Sequence, residues 1–293
     1  SDVYKRQPTI PLPYQWPSEP VLTGEQGVVT APKPVGCTGP ILDPTPGAKS
    51  TKYTGGVTAV CAGSSAFPGA GILAATGAVR ATPSMVRVVG NDSVTTSLPE
   101  VVPHASAQEK VHAQAWVIGP GRGTDPEAAA ELRAVLKRGL PTIIDADALT
   151  VLSTYGDLRE LVRDHPCAVL TPHAGEFERL YKATLGRELD LSEGLEIRLQ
   201  ELASALDCFV LHKGRITTVT GPGQDIYGMN AGHSYAATAG SGDVLSGILG
   251  ATLAQLDIVE VSAETIIMEI LHAAAIHQHA AAIAAPVSYT HLR

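Results

Sequence analysis

Charge is scarce in this sequence, and what there is leans negative. Asp, Glu, Lys and Arg make up 17% of the 293 residues, and the formal net charge is −8. The acidic balance argues against a general nucleic-acid binder. A small polyanion stays within reach, because backbone amides at a helix start can hold phosphate without a basic surface. Cysteine is sparse too. Cys37, Cys61, Cys167 and Cys208 include no Cys-x-x-Cys pair, which leaves neither a zinc ribbon nor a redox dithiol. The last three stand in apolar runs and read as small core residues, in a reducing, cytoplasmic setting. The first residues hold no basic stretch followed by an apolar one, so no signal peptide is expected. No unbroken run of about 18 apolar residues occurs, so no membrane span is expected. The Ala-rich segment 270–285 is interrupted by His272, His277, Gln278 and His279. No repeat is evident.

Hydrophobic residues reach 44%, enough for one large core. Residues 1–51 are crowded with proline, from Pro8 to Pro46, which bars regular helix and central strand; they read as a linker or lead-in. Ser1–Gln7 and Ser288–Arg293 continue no neighbouring pattern, and the tail 286–293 is expected to be foreign to the domain. Between lead-in and tail, short apolar runs stand at Val57–Ala62, Met85–Val89, Ala115–Ile118, Thr142–Ile144, Cys167–Leu170, Cys208–Leu211 and Ile216–Val219. Helical patterns separate several of them. In Pro126–Lys137, Ala129, Leu132, Val135 and Leu136 share one face behind the N-cap Asp125; Glu193–Leu206 is amphipathic as well. Strands apolar on both sides, alternating with helices, predict an α/β domain with a mostly parallel sheet covered on both faces.

In such sheets ligands bind beyond the carboxyl ends of the strands. The segments found there are Gly63-Ser64-Ser65 with Pro68-Gly69-Ala70, Gly119-Pro120-Gly121-Arg122-Gly123, Asp145-Ala146-Asp147, Thr171-Pro172-His173-Ala174-Gly175-Glu176 and His212-Lys213-Gly214. Further on, Gly240-Ser241-Gly242-Asp243 precedes Val244, Leu245, Ile248 and Leu249 at helical spacing. Amides at that helix start could converge on an anion, and Asp243 could take a proton from a ligand hydroxyl. Taken alone, the motif reads equally as a capped helix. It is not a Walker A loop, and the 119–123 glycines lack the dinucleotide spacing. Lys213 could pair with a phosphate or sit in solvent at a hairpin. His173 could donate to a ligand or close a turn, with Glu176 capping the next helix. Asp145 and Asp147 could serve a metal or hydroxyls, or cap a helix over Ala148–Leu152. His272, His277 and His279 lack metal-ligand spacing and read as a solvated or partly buried helix face.

The order of these motifs, opening with Lys52-Tyr53 and adding Asn230-x-Gly232 before Gly240-Ser241-Gly242-Asp243-Val244-Leu245-x-Gly247, resembles the ADP-dependent NAD(P)H-hydrate dehydratase family. The resemblance covers about residues 52–280 and implies a ribokinase-like three-layer sandwich spanning about 52–285. It implies a lyase that returns hydrated NADH or NADPH to the normal dinucleotide while ADP becomes AMP and phosphate. Asp243 would then be catalytic. Ala70, Gly121, His173 and Asp243 would contact the hydrated dinucleotide. Lys213, Gly214, Arg215, Ile216, Thr217, Gly240, Ser241 and Gly242 would hold the nucleotide. Mg²⁺ would screen phosphates, and the protein would be a cytoplasmic homo-oligomer, a tetramer. The sequence departs from the family at Ala174, where a second proline is usual, and at Ala81-Thr82-Pro83-Ser84, where a glycine-alanine stretch is expected. A ribokinase-like kinase for a small molecule such as a vitamin precursor would use the same anion site and aspartate. A non-catalytic homologue would bind ADP without releasing AMP.

Overall fold

The computed structural model describes residues 33–34, 45–82 and 84–290, with the side chains of 33, 34 and 286–290 left undescribed. Cys37, Pro83, both terminal segments and most of the proline-rich lead-in thus lie wholly or partly outside the described residues.

A single sheet organises the described residues. Its strands are β1 (Lys33–Pro34), β2 (Thr58–Cys61), β3 (Val86–Val89), β4 (Val102–His104), β5 (Ala115–Ile118), β6 (Thr142–Ile144), β7 (Ala168–Leu170), β8 (Phe209–His212), β9 (Ile216–Thr220) and β10 (Tyr227–Asn230). They lie in the order β1-β10-β9-β8-β7-β6-β5-β2-β3-β4. Only β9 runs against its neighbours, pairing antiparallel with β8 and β10. The proline-bearing β1 pairs at one edge, with Tyr227 and Gly228, where a missing N–H is tolerated. From β2 the chain winds one way to β3 and β4. It then returns to the other side of β2 for β5 and continues outward through β8. The order therefore reverses between β2 and β5, the place where an open α/β sheet leaves a crevice at its carboxyl edge.

Alternating side chains supply two cores. In β5, Ala115 and Val117 face one, Trp116 and Ile118 the other, all buried. Helices α1 (Pro68–Ala81), α8 (Ser241–Leu253) and α9 (Ala263–Thr290) cover the first face; α3 (Pro126–Leu136), α4 (Asp147–Thr154), α5 (Gly156–Arg163), α6 (Ala174–Leu185) and α7 (Leu195–Leu206) cover the second. The short α2 (Val94–Ser97) follows β3. This is the three-layer α/β arrangement expected from the sequence. Asp125 caps α3 as its position predicts, its carboxylate accepting from the Ala128 amide at 2.8 Å. Cys61, Cys167 and Cys208 are free and buried. Part of α9, Ala263–Ala285, is long and apolar enough to cross a membrane. Ile266, Ile267, Ile270, Leu271 and Ala274 instead pack into the first core, so it serves as a core helix here.

Close contact between α1 and α8 depends on glycine. A Cβ at Gly247 would lie 1.9 Å from Ala74 O, and one at Gly77 would lie 2.3 Å from Val244 O. Both obstacles are backbone, which cannot rotate away. Gly247→Val is therefore expected to push the helices apart and lower stability by at least the about 1–3 kcal/mol typical of overpacking, measured by urea denaturation. Gly69→Ala, with nothing within 4 Å of the added carbon, is the comparison and should leave the midpoint nearly unchanged.

Candidate active site

The carboxyl ends of β2, β5, β6, β7 and β8 bring the sequence-predicted loops to one edge. At the reversal point Gly63 N–H donates to Pro120 O at 2.6 Å. Gly121, at φ 63°, faces the start of α1: a Cβ there would be 2.9 Å from the Ala70 Cβ and 3.0 Å from the Phe67 Cβ. Ala70 and Gly121 thus stand together. Arg122, which the sequence reading left unassigned, stitches this region. Its Nη1 donates to Gly63 O at 2.7 Å and to Gly90 O at 3.0 Å, and its Nε donates to Glu131 Oε2 at 2.9 Å. One guanidinium joins the loops after β2, β3 and β5, and a charged hydrogen-bonding fork is suited to that.

Asp145, at the end of β6, is the most deeply buried acid near this edge, 1% exposed. It does not cap α4; the N-cap is Ala146, with no side-chain bond. Asp145 Oδ1 instead accepts from Lys213 Nζ at 2.6 Å, and Oδ2 from Ser246 Oγ at 2.7 Å. Lys213 is accordingly not a solvent lysine. Ala146, next in sequence, adopts φ 50°, a positive angle rare for a residue with a β-carbon. The next acid, Asp147, lies inside the first turn of α4 and accepts from the Gly123 amide at 2.8 Å. Ser246 was missed because a serine inside an apolar helix carries no sequence signal of its own.

His173 caps α6. Its Nδ1 accepts from the Gly175 and Glu176 amides at 3.1 and 3.4 Å, while Glu176 Oε2 accepts from the His173 amide at 2.9 Å. Accepting at Nδ1 places the hydrogen of the neutral ring on Nε2, which stands 3.4 Å from Glu176 Oε1. A β-bridge sets His173 beside Lys213, with the Lys213 amide donating to Pro172 O at 2.9 Å. Past Lys213, Gly214, Arg215 and Ile216 are exposed and Thr217 is buried; Arg215 Nη1 reaches Ser234 Oγ at 3.2 Å.

The glycine-rich motif starts α8 as expected. Gly240 is the N-cap at φ 81°, and a Cβ on it would strike Leu73 Cδ1 at 2.4 Å. A Cβ on Gly242 would stand 3.5 Å from Lys213 Nζ, so the helix start lies over the Lys213–Asp145 pair. The Ser241 amide donates to Thr238 O at 3.2 Å; what Ser241 offers is its hydroxyl, within 2.9 Å of His277 Nε2. His272 and His277 are both buried, not solvated, because α9 is a core helix. Asp243 is half-buried in the first turn. Burial, reinforced by the charges of Asp145 and Asp147 and opposed by Lys213, pushes its carboxyl up to about 6. Such a group is a better proton acceptor than an ordinary aspartate and is still mostly ionised at neutral pH.

The sign of that shift gives a test. A carboxyl raised above its unfolded value of about 3.9 weakens the fold as pH climbs from about 4 through 6, because folding then opposes ionisation. Asp243→Asn removes the effect. Its thermal midpoint should exceed the parent's at pH 8, and the advantage should vanish toward pH 4. A constant difference across pH would mean that Asp243 titrates normally.

The chain is 43% identical over 272 residues to the bifunctional NAD(P)H-hydrate repair enzyme Nnr of Corynebacterium glutamicum, covering 85% of this chain and 46% of that one. It therefore spans about half the length of that relative. It is 34% identical over 215 residues to the ADP-dependent (S)-NAD(P)H-hydrate dehydratase of Neisseria meningitidis, covering 70% of this chain and 72% of the other. Among solved structures, the ADP/ATP-dependent NAD(P)H-hydrate dehydratase of Bacillus subtilis, co-crystallised with ATP/Mg²⁺, superposes with a TM-score of 0.67 at 26% identity, covering 83% of this chain and 86% of that one. The fold is thus ribokinase-like. With residues 58–292 matching the family's sequence profile, the chain belongs to the NAD(P)H-hydrate dehydratase family.

Proposed function

We propose that this chain dehydrates hydrated NADH or NADPH at the expense of ADP, yielding NAD(P)H, AMP and phosphate. The observation that carries the reading is Asp243, a half-buried carboxylate with a raised pKa in the first turn of α8, above the Lys213–Asp145 pair. Hydroxide leaves a carbon poorly and phosphate leaves well. Asp243 takes the proton of the hydrate's hydroxyl as its oxygen attacks the β-phosphorus of ADP. The O–P bond to AMP breaks, and the phosphorylated hydrate then loses phosphate together with the neighbouring C–H proton to restore the double bond. The Gly240–Gly242 turn and the helix start steady the moving charge. Lys213 contributes its ammonium to the phosphates, and Gly214, Arg215, Ile216 and Thr217 line the nucleotide. Ala70, Gly121 and His173 hold the hydrated dinucleotide.

Among the described residues no group of three or more His, Cys, Asp or Glu side chains could hold a metal. Mg²⁺ would then be brought by the diphosphate of the nucleotide and would supply charge screening. The same reading places the protein in the cytoplasm as a homo-oligomer, a tetramer.

Two experiments test this. Asp243→Asn should lower recovery of NADH from its hydrate by about 10²–10⁴-fold, the usual share of general-base catalysis, while calorimetry finds ADP binding retained. An Asp243→Asn protein of nearly full activity would sink the catalytic role, and a phosphorylated product that accumulates would favour a kinase. Lys213→Ala should weaken ADP binding and also lower the thermal midpoint, because Asp145 is left buried without its cation. Adding Asp145→Asn should restore the midpoint but not the affinity. If ADP affinity is unchanged in Lys213→Ala, the lysine does not touch the phosphates.

A further inference from the structure

His277 lies 36 positions after Ser241, on a different helix, yet their side chains meet: Ser241 Oγ is 2.9 Å from His277 Nε2. The imidazole is 7% exposed and its Nδ1 has no partner. The two neutral tautomers are therefore not equivalent. With hydrogen on Nδ1, a buried N–H would be orphaned, a rarer arrangement in folded proteins than an under-satisfied acceptor. With hydrogen on Nε2, the ring donates to Ser241 Oγ, and the serine's own hydrogen stays free for another acceptor. The Ser241 amide is already committed to Thr238 O. Burial, helped by the nearby Lys213 charge, holds His277 below the usual histidine range against a pull from the Ser241 backbone; the uncharged ring thus serves as a fixed donor.

We propose that His277 is a positioning residue that turns the Ser241 hydroxyl into a hydrogen-bond donor aimed at the phosphoryl group carried at the start of α8. The proposal rests on the dehydratase reading. Ser241 directly precedes Gly242, which lies over Lys213 Nζ, so a phosphoryl oxygen drawn to the ammonium comes within reach of the hydroxyl. The donation strengthens as charge builds on that oxygen during transfer. No bond to serine is made or broken.

The test uses the whole chain with ADP, Mg²⁺ and hydrated NADH. Ser241→Ala should lower kcat by about 10²-fold, the scale of one lost donor to a developing oxyanion, and weaken ADP binding severalfold. His277→Leu should give a smaller loss in the same direction. The double variant should be no worse than Ser241→Ala alone, since the histidine acts only through the hydroxyl. His277→Gln, which keeps an N–H donor, should recover much of the loss. Losses that multiply in the double variant, or a fully active Ser241→Ala, overturn the proposal. So does ¹⁵N NMR that finds hydrogen on His277 Nδ1 in the parent. If the parent does not turn over hydrated NADH, it is the dehydratase reading that fails. The pair is then judged on ADP alone, where equal affinity in parent, Ser241→Ala and His277→Leu overturns it.

Discussion

The arrangement at the sheet edge hangs on one buried carboxylate. Asp145 is almost wholly withdrawn from water, and an ion so placed is tolerated only when its oxygens are occupied. Lys213 from the end of β8 takes one oxygen and Ser246 from α8 takes the other. Three elements distant in sequence are thereby referenced to a single charge. Lys213 is held just below the start of α8, and α8 is held at the depth that leaves Asp243 half-buried beside two other acids. The unusual backbone of Ala146 belongs to the same constraint. A non-glycine residue at positive φ is kept only where its surroundings over-determine it, and the neighbours Asp145 and Asp147 are both tied by hydrogen bonds.

The approach of α1 to α8 is the second requirement. Glycines at 77 and 247 put backbone against backbone, and the start of α8 is carried toward the crevice between β2 and β5. A wider helix spacing would move Gly240 away from Leu73 and open a gap between the two halves of the cleft. Packing thus sets where the start of α8, with Asp243 in its first turn, stands at the sheet edge.

Much of this was legible in the sequence, for definite reasons. The strands β5 and β6 fall on the apolar runs Ala115–Ile118 and Thr142–Ile144 because both faces of the sheet are covered, so each strand is hydrophobic throughout. Asp125 and Glu176 act at their helix starts as position alone suggests, since capping is local chemistry. What could not be read is long-range. Asp145 resembles a helix cap until Lys213, 68 positions away, is folded against it. His277 looks like one of several polar interruptions in an alanine-rich helix, because nothing in its neighbours names Ser241. Arg122 sits among glycines as an ordinary loop arginine, and only the topology supplies the carbonyls of Gly63 and Gly90.

That arginine bears on how rigid the cleft is. Its bonds to two carbonyls and to Glu131 remove freedom from three loops before anything arrives, so the wall around Gly121 is preorganised and little ordering entropy is lost there on binding. Across the cleft, Gly214, Arg215 and Ile216 are exposed, and Arg215 is held to Ser234 by a single exposed contact. The cleft is thus asymmetric, with one side tied down by Arg122 and the other, at Gly214–Ile216, open to solvent. Any adjustment on binding would accordingly concentrate on the β8–β9 side, and the crevice between β2 and β5 would serve as the fixed frame.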